Sequence, residues 1–173
     1  MNRLREAGRR IRDAYAGDDN RPLRGYLVVM AAYGGLVSSL FAWGKATGAR
    51  LPERFGAGDT ILLSIATHKA SRLLAKDPVT SPLRAPFTRF EGSAGESELM
   101  ESVRGHGLQH AAGELVSCPF CLALWTATAL TGGMVFAPRL TRLTATVLTV
   151  IAVSDTLQIG YDGAKQALHQ AGD

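Results

Sequence analysis

Cysteine is scarce. Two residues among 173, paired as Cys118-Pro119-Phe120-Cys121, exclude a disulfide framework. Nucleophile–base triads, phosphate-cradling glycine loops and metalloprotease signatures are missing as well, so the sequence spells out no reaction. There is no internal repeat and no low-complexity tract. The net charge of +4 comes without a groove-reading motif; the basic residues flank apolar runs instead. Nucleic acid is therefore set aside, and anionic lipid headgroups are the expected partner of this charge. No cleaved secretory signal is expected, because the first apolar run starts late, behind a basic segment, and is too long for one.

What is present is apolar sequence in blocks. Hydrophobic residues make up 46% of the chain, and a mean hydropathy of +0.06 conceals alternation between apolar and polar stretches. Residues 26–43, 59–74, 118–136 and 143–159 form four apolar runs. Each approaches the roughly 20 residues that cross a bilayer as helix. The expected fold class is all-α: a polytopic membrane protein with four transmembrane helices and an N-terminal amphipathic helix. The expected divisions are a basic segment at 1–24, a four-helix membrane domain at 25–160 with a loop at 76–117, and a polar tail at 161–173.

Within 1–24, Leu4, Ala7, Ile11 and Ala14 recur at helical spacing among seven arginines, which fits a helix on the membrane surface. Asp18, Asp19, Asn20 and Pro22 then break it. In the first span, Ala31, Gly35 and Ser39 form a small-residue stripe, and Tyr26 and Trp43 mark the two interfaces. In the second, Asp59 suits a helix cap. Thr60, Ser64, Thr67, His68 and Ser71 share one face, expected to point into the bundle, while Lys69 points elsewhere toward headgroups. Pro78, Pro82 and Pro86 preclude a regular helix early in the loop. A short helix is expected within 96–114, weakened by Gly105 and Gly107, with Glu96, Glu98, Glu101 and Glu114 on a solvated face. Pro119 suits the first turn of the third span.

Arginine and lysine are enriched in 1–24 and 76–117, which four spans place on one side. The positive-inside rule makes that side cytoplasmic in a bacterial inner membrane, with both termini there. Lys45, Arg50, Arg54, Arg139 and Arg142 on the opposite side reduce the asymmetry.

This topology brings His68, Lys69, Arg72, Asp155 and the Cys118–Cys121 pair to similar depth, where they are expected to converge. A carboxylate within a span is costly alone, so Asp155 should pair with Arg72, His68 or Lys69, as a helix lock or in proton or ion handling. The two cysteines have three readings. They can form a redox disulfide at a helix N-terminus, or supply half of a zinc site completed by His106 and His110 or by a second protomer, or be packed thiols. No cofactor is expected outside the zinc reading. The segment 77–87 holds Arg84 between prolines, stiff enough to bind a lipid phosphate or clamp a carboxylate.

Asp59, the run His68-Lys69-Ala70-Ser71-Arg72-Leu73, Asp77, the run from Thr80 to Phe87, Gly113-Glu114-Leu115, the Cys118–Cys121 pair and Trp125 occur in a distinctive order. Over residues 59–155 the chain resembles the bacterial domain-of-unknown-function family 1360, small integral membrane proteins that include a sporulation-associated member. The resemblance implies no established activity. It singles out Asp59, Arg72, Asp77, Arg84, Cys118, Cys121 and Trp125; His106 and His110 are not part of the pattern. The expected function is a non-enzymatic scaffold or accessory subunit that oligomerises or binds a membrane partner. The alternatives are an oligomeric channel or transporter using Asp155, His68 and Arg72, and thiol redox or metal chemistry at Cys118 and Cys121.

Overall fold

The computed structural model describes residues 21–95 and 97–172, with positions 6, 8, 10, 14 and 15 before them. Most of the expected amphipathic helix at 1–24, and Glu96, lie outside the described residues.

Long helices dominate. Helix α1 spans Leu23–Thr47 and ends at Gly48, whose left-handed φ of 65° lets its N–H cap the last turn. Helix α2, Ala57–Lys76, stops at Asp77 because Pro78 forces the preceding residue out of helical geometry. A 3₁₀ turn at Pro78–Thr80 and the one-turn helix α3, Ser81–Arg84, follow. Strands β1 (Thr88–Gly95) and β2 (Glu98–Val103) form an antiparallel hairpin. Helix α4 covers Leu108–Ser117, α5 Pro119–Phe136 and α6 Pro138–Gly172. Proline occupies the first position of both α5 and α6, where a missing N–H costs nothing.

Two expectations are corrected. The fold is not all-α, because Thr88–Gly95 and Glu98–Val103 pair as a sheet. Leu99, Glu101 and Val103 alternate toward the body of the protein, a period of two that reads as strand. Register shifts between Phe90 and Gly92 and between Ser93 and Gly95 absorb the glycines. The expected helix within 96–114 is thereby split into β2 and α4, with Gly105 and Gly107 at φ 77° and 59° in the turn between them. Nor do the described residues hold four spans. Among them three helices are long and apolar enough to cross a membrane: α1, α5 and α6 over Pro138–Gln170. Helix α2 forms, but Asp59, Lys69, Arg72 and Lys76 make it too charged to join them.

Helix α2 nonetheless sits centrally, packed on both α5 and α6. Asp59 meets Arg142, Thr149 donates to the Leu62 carbonyl, and Lys69 meets Asp155, so α2 and α6 run parallel. The core between these three helices is Leu63, Ala66, Met134 and Ala145, flanked by Leu62, Leu130 and Leu148. Its alanines permit close approach. Gly133 does the same for the α5–α6 hairpin: a Cβ there would lie 2.5 Å from Thr141 Oγ1. Helix α1 runs parallel to α5, joined by a Tyr33–Thr128 hydrogen bond of 2.9 Å and by an edge-on contact between Tyr33 and Trp125. The expected small-residue stripe of Ala31, Gly35 and Ser39 faces outward.

The described residues from Asp77 to Ser117 lie at one end of the bundle and form a cap. The polar tail expected at 161–173 is helical throughout its described length, as a continuation of α6. With 35 residues, α6 is about 52 Å long at about 1.5 Å per residue. Helix α2, with 20 residues, reaches only about 30 Å, so α6 projects past it on the cap side.

Candidate functional site

The singled-out residues occupy five places rather than one. The first is a groove of about 910 Å³ between α2 and α6, with Ser97 and Glu98 of the hairpin at its cap end. His68, Lys69 and Arg72 line one wall and Asp155 the other. Lys69 Nζ donates to Asp155 Oδ2 at 2.6 Å, and the lysine is the more buried partner, at 20% exposure against 44%. Lys69 therefore does not reach away toward headgroups as expected; the nearby carboxylate holds it in the groove. Arg72 pairs with Glu98 of β2 instead of Asp155. His68 is exposed on the wall.

The second place is inside the cap. Asp77 accepts the Val79 N–H at 2.7 Å and so opens the 3₁₀ turn. Arg84, 1% exposed, donates through Nε to Glu101 Oε2 at 2.6 Å, where the glutamate side chain is 5% exposed. Its other nitrogens donate to the carbonyls of Leu74 and Asp77 and to Thr80 Oγ1. One guanidinium thus ties the end of α2, the 3₁₀ turn and the hairpin together. Its fork of donors meets four acceptors that a lysine could not all reach. Glu101, expected on a solvated face, is buried by this contact, and the strand alternation is what turns it inward.

Third, Cys118 and Cys121 stand at the start of α5, where Cys118 Sγ accepts the Cys121 N–H at 3.3 Å. Both are free, Cys118 half-buried and Cys121 exposed. Burial alone would push the Cys118 thiol up. Hydrogen bonds from the Cys121 thiol and from the Cys121 and Phe120 amides, with the Lys76 ammonium nearby, outweigh it and hold Cys118 below the usual thiol value. His106 and His110 do not join them. His110 lies 3.6 Å from Glu114, and among the described residues no three His, Cys, Asp or Glu side chains are grouped to hold a metal ion.

The remaining two residues lie elsewhere. Asp59 does not cap α2, whose first turn follows Gly56; it pairs with Arg142 at 2.9 Å at the end far from the cap. Trp125 packs mid-helix against Tyr33. The sequence reading missed the acidic partners Glu98 and Glu101, and the pairing of Arg21 with Glu114 at 3.1 Å.

The match to the family described as a protein of unknown function, DUF1360, runs over residues 62–161, more than half of the chain. The chain belongs to the DUF1360 family. The matched stretch takes in most of α2, the whole cap, α5 and the bundled part of α6. It leaves out α1, Asp59 and the end of α6. A curated relative, the sporulation protein YjcA of Bacillus subtilis, is 34% identical over 70 residues. That match covers 39% of this chain and 59% of the relative, so the chain spans less than two thirds of that protein's length. No solved structure matches the chain. Three helices among its described residues are long and apolar enough to cross a membrane, which is consistent with a membrane protein.

Proposed function

We propose that this DUF1360 protein is a non-enzymatic membrane scaffold that pairs with a second copy of itself through α6. One observation carries the reading. Leu140, Leu143, Val147, Val150, Ser154, Leu157, Tyr161, Ala164 and Leu168 follow one another at alternating steps of three and four. This is the seam by which two like helices pack, because knobs spaced at 3.5 residues stay in register along a shared axis. The seam lies opposite the face that α6 presents to α2, where Thr141 and Ala145 are buried and Thr149 and Asp155 make their bonds.

Lipid can cover its first half. It cannot cover the part of α6 that projects beyond α2, yet Leu168 there remains 74% exposed, and Tyr161, about level with the end of α2, 67%. A parallel copy of the same helix continues the apolar cover past the bilayer. The pairing is also compatible in charge: Lys165 is the charged residue flanking the projecting seam, and it lies 5.7 Å over its own Tyr161 ring.

In this reading the cap and both chain ends face the cytoplasm across a bacterial inner membrane. Arg21, Arg24, Arg89, Arg104 and Lys165 on that side, with the arginines of residues 1–24, favour it. The groove beside Lys69 and Asp155 supports a channel less well. It opens away from the α6 seam, so pairing through α6 does not enclose it, and its central lysine and carboxylate neutralise each other. The relative's name, sporulation protein, supports a role for this scaffold in sporulation.

Single cysteines introduced in a Cys118→Ser/Cys121→Ser background test the seam. Copies bearing Val150→Cys, Leu157→Cys or Leu168→Cys should cross-link to themselves in native membranes, and Ala152→Cys should not. Uniform cross-linking at all four positions, or a monomer by mass in nanodiscs, removes the reading.

A further inference from the structure

Free cysteine is among the residue types most often packed out of water. The pair at the start of α5 is not: Cys118 is half-buried, Cys121 is exposed, and Phe120 between them is 88% exposed. Packing therefore does not account for these two residues. Nor does a metal site within the chain, since among the described residues no third His, Cys, Asp or Glu side chain is grouped with them. Two free thiols stand side by side at the surface, where the cap meets α5.

Their surroundings divide the roles. Cys118 is the N-cap of α5, and its Sγ accepts the Cys121 N–H at 3.3 Å. The Phe120 amide and the Cys121 thiol also donate to it. The first turn of α5 carries no acidic residue, so the positive end of the helix dipole acts on this sulfur unopposed from its own turn. Lys76, at the end of α2, brings its ammonium to the Cys118 side. Glu114 of α4 stands on the Cys121 side, engaged by Arg21 at 3.1 Å. Negative charge is thus favoured on Cys118, and Cys121 is placed as the second sulfur. Positions three apart in a helical turn lie about 5–6 Å from each other at Cα, a separation that a disulfide bridges.

We infer that Cys118 and Cys121 form a thiol–disulfide exchange site at the junction of the cap and α5, whose substrates are small soluble disulfides. A half-buried attacking sulfur admits a small disulfide more readily than one held in a folded protein. Cys118, having lost its proton to water, attacks one sulfur of the substrate R–S–S–R. The S–S bond breaks, and RS⁻ leaves and takes up a proton. Cys121 then gives its proton to water, and its sulfur attacks Cys118 Sγ in the mixed disulfide. The second RS⁻ leaves and is protonated. The pair ends as an internal disulfide, oxidised by two electrons, and the substrate as two thiols. Two soluble thiols reverse both steps and leave joined as a disulfide. The exchange adds a reversible covalent step to the scaffold. It depends neither on which compartment the cap faces nor on pairing through α6.

Glutathione disulfide added to the full chain in nanodiscs tests it, followed by intact mass after acid quenching. The parent should lose two hydrogens per chain and retain no glutathione, and excess reduced glutathione should restore the dithiol. Cys121→Ser should stop at the first step and hold one glutathione per chain. Cys118→Ser should take up glutathione about tenfold more slowly than Cys121→Ser, because its remaining thiol lacks the helix-terminal amides. The first result needs no variant, so it stands whether or not the substitutions disturb folding. Lasting glutathione on the parent overturns the inference. So does a disulfide between copies in place of the internal one, or equal rates for the two single variants. Subunit number plays no part in the readout, so failure here leaves the α6 seam standing.

Discussion

Replacing Arg84 by alanine should loosen the cap more than any other single change in it. The guanidinium is 1% exposed and its partner Glu101 5%. Removing it leaves a buried carboxylate without a counter-charge and takes a donor from the Leu74 and Asp77 carbonyls. Breaking a buried pair by deleting one member costs about 3–5 kcal/mol. The cap lies outside the apolar helices, so this water-phase figure applies. At about 1.4 kcal/mol per tenfold, amides of β1, β2 and the last turn of α2 should exchange roughly a hundredfold to a few thousandfold faster. Hydrogen–deuterium exchange with peptide-level readout in detergent or nanodiscs measures this directly. Arg84→Lys should fall between, because it keeps charge but not the fork. Arg84→Met combined with Glu101→Leu should recover most of the protection, since both ions then leave the interior together. Exchange within about threefold of the parent in Arg84→Ala, or a double variant no better than the single, would refute the lock.

Asp155→Ala strands the Lys69 ammonium in the α2–α6 groove and should lower bundle stability by about 1–3 kcal/mol; Lys69→Met on top of it should restore most of the loss in detergent unfolding. Gly25→Ala drives a methyl into the Gly107 carbonyl and should cost about 1–3 kcal/mol, seen as a lower melting temperature and a red-shifted Trp125 in a Trp43→Phe background. Gly35→Ala, which has open space around it, should cost nothing measurable. In the parent chain, with Cys118 followed by peptide mapping, its alkylation should reach half its maximal rate below the pH of an ordinary thiol, because the folded state favours the thiolate. The stability linked to that thiolate is present above the unfolded thiol's pKa and is lost as pH falls through the lowered folded value, so Cys118→Ser should matter at alkaline pH and not at acidic pH. Lys76→Gln should move the alkylation profile back up.

The long helices were legible because lipid-scale apolar runs and their proline and glycine ends are written locally. Pro119 and Pro138 mark helix starts, and Asp77 before Pro78 marks a stop. The pairing of Asp155 with one of three named cations followed from the cost of an isolated charge. Choosing Lys69 required the relative rotation of α2 and α6, which no local pattern encodes. The hairpin was obscured by composition. Residues 88–103 are polar enough to pass for loop, and only the alternation of Leu99, Glu101 and Val103 hinted at strand, with a glutamate in the inward register. That inward glutamate makes sense only once Arg84, seventeen positions away, is known to face it. Helix α2 reads as a span from its length and apolar run, but it is a charged helix in which Asp59 and Lys69 find partners on α6 and Arg72 finds one on β2.

The α5–α6 hairpin turns at Ala137 alone, and the short connection between α1 and α2 supplies the other crossing at that end. Nearly all folded, hydrogen-bonded backbone outside the long helices therefore sits at the opposite pole. A binding protein, protease or antibody approaching from the hairpin pole would find little to grip. With α1, α5 and α6 across a membrane as proposed, the molecule can converse with water-soluble neighbours in one compartment only, and a tag spliced at residue 137 would be the most economical reporter of which compartment that is not.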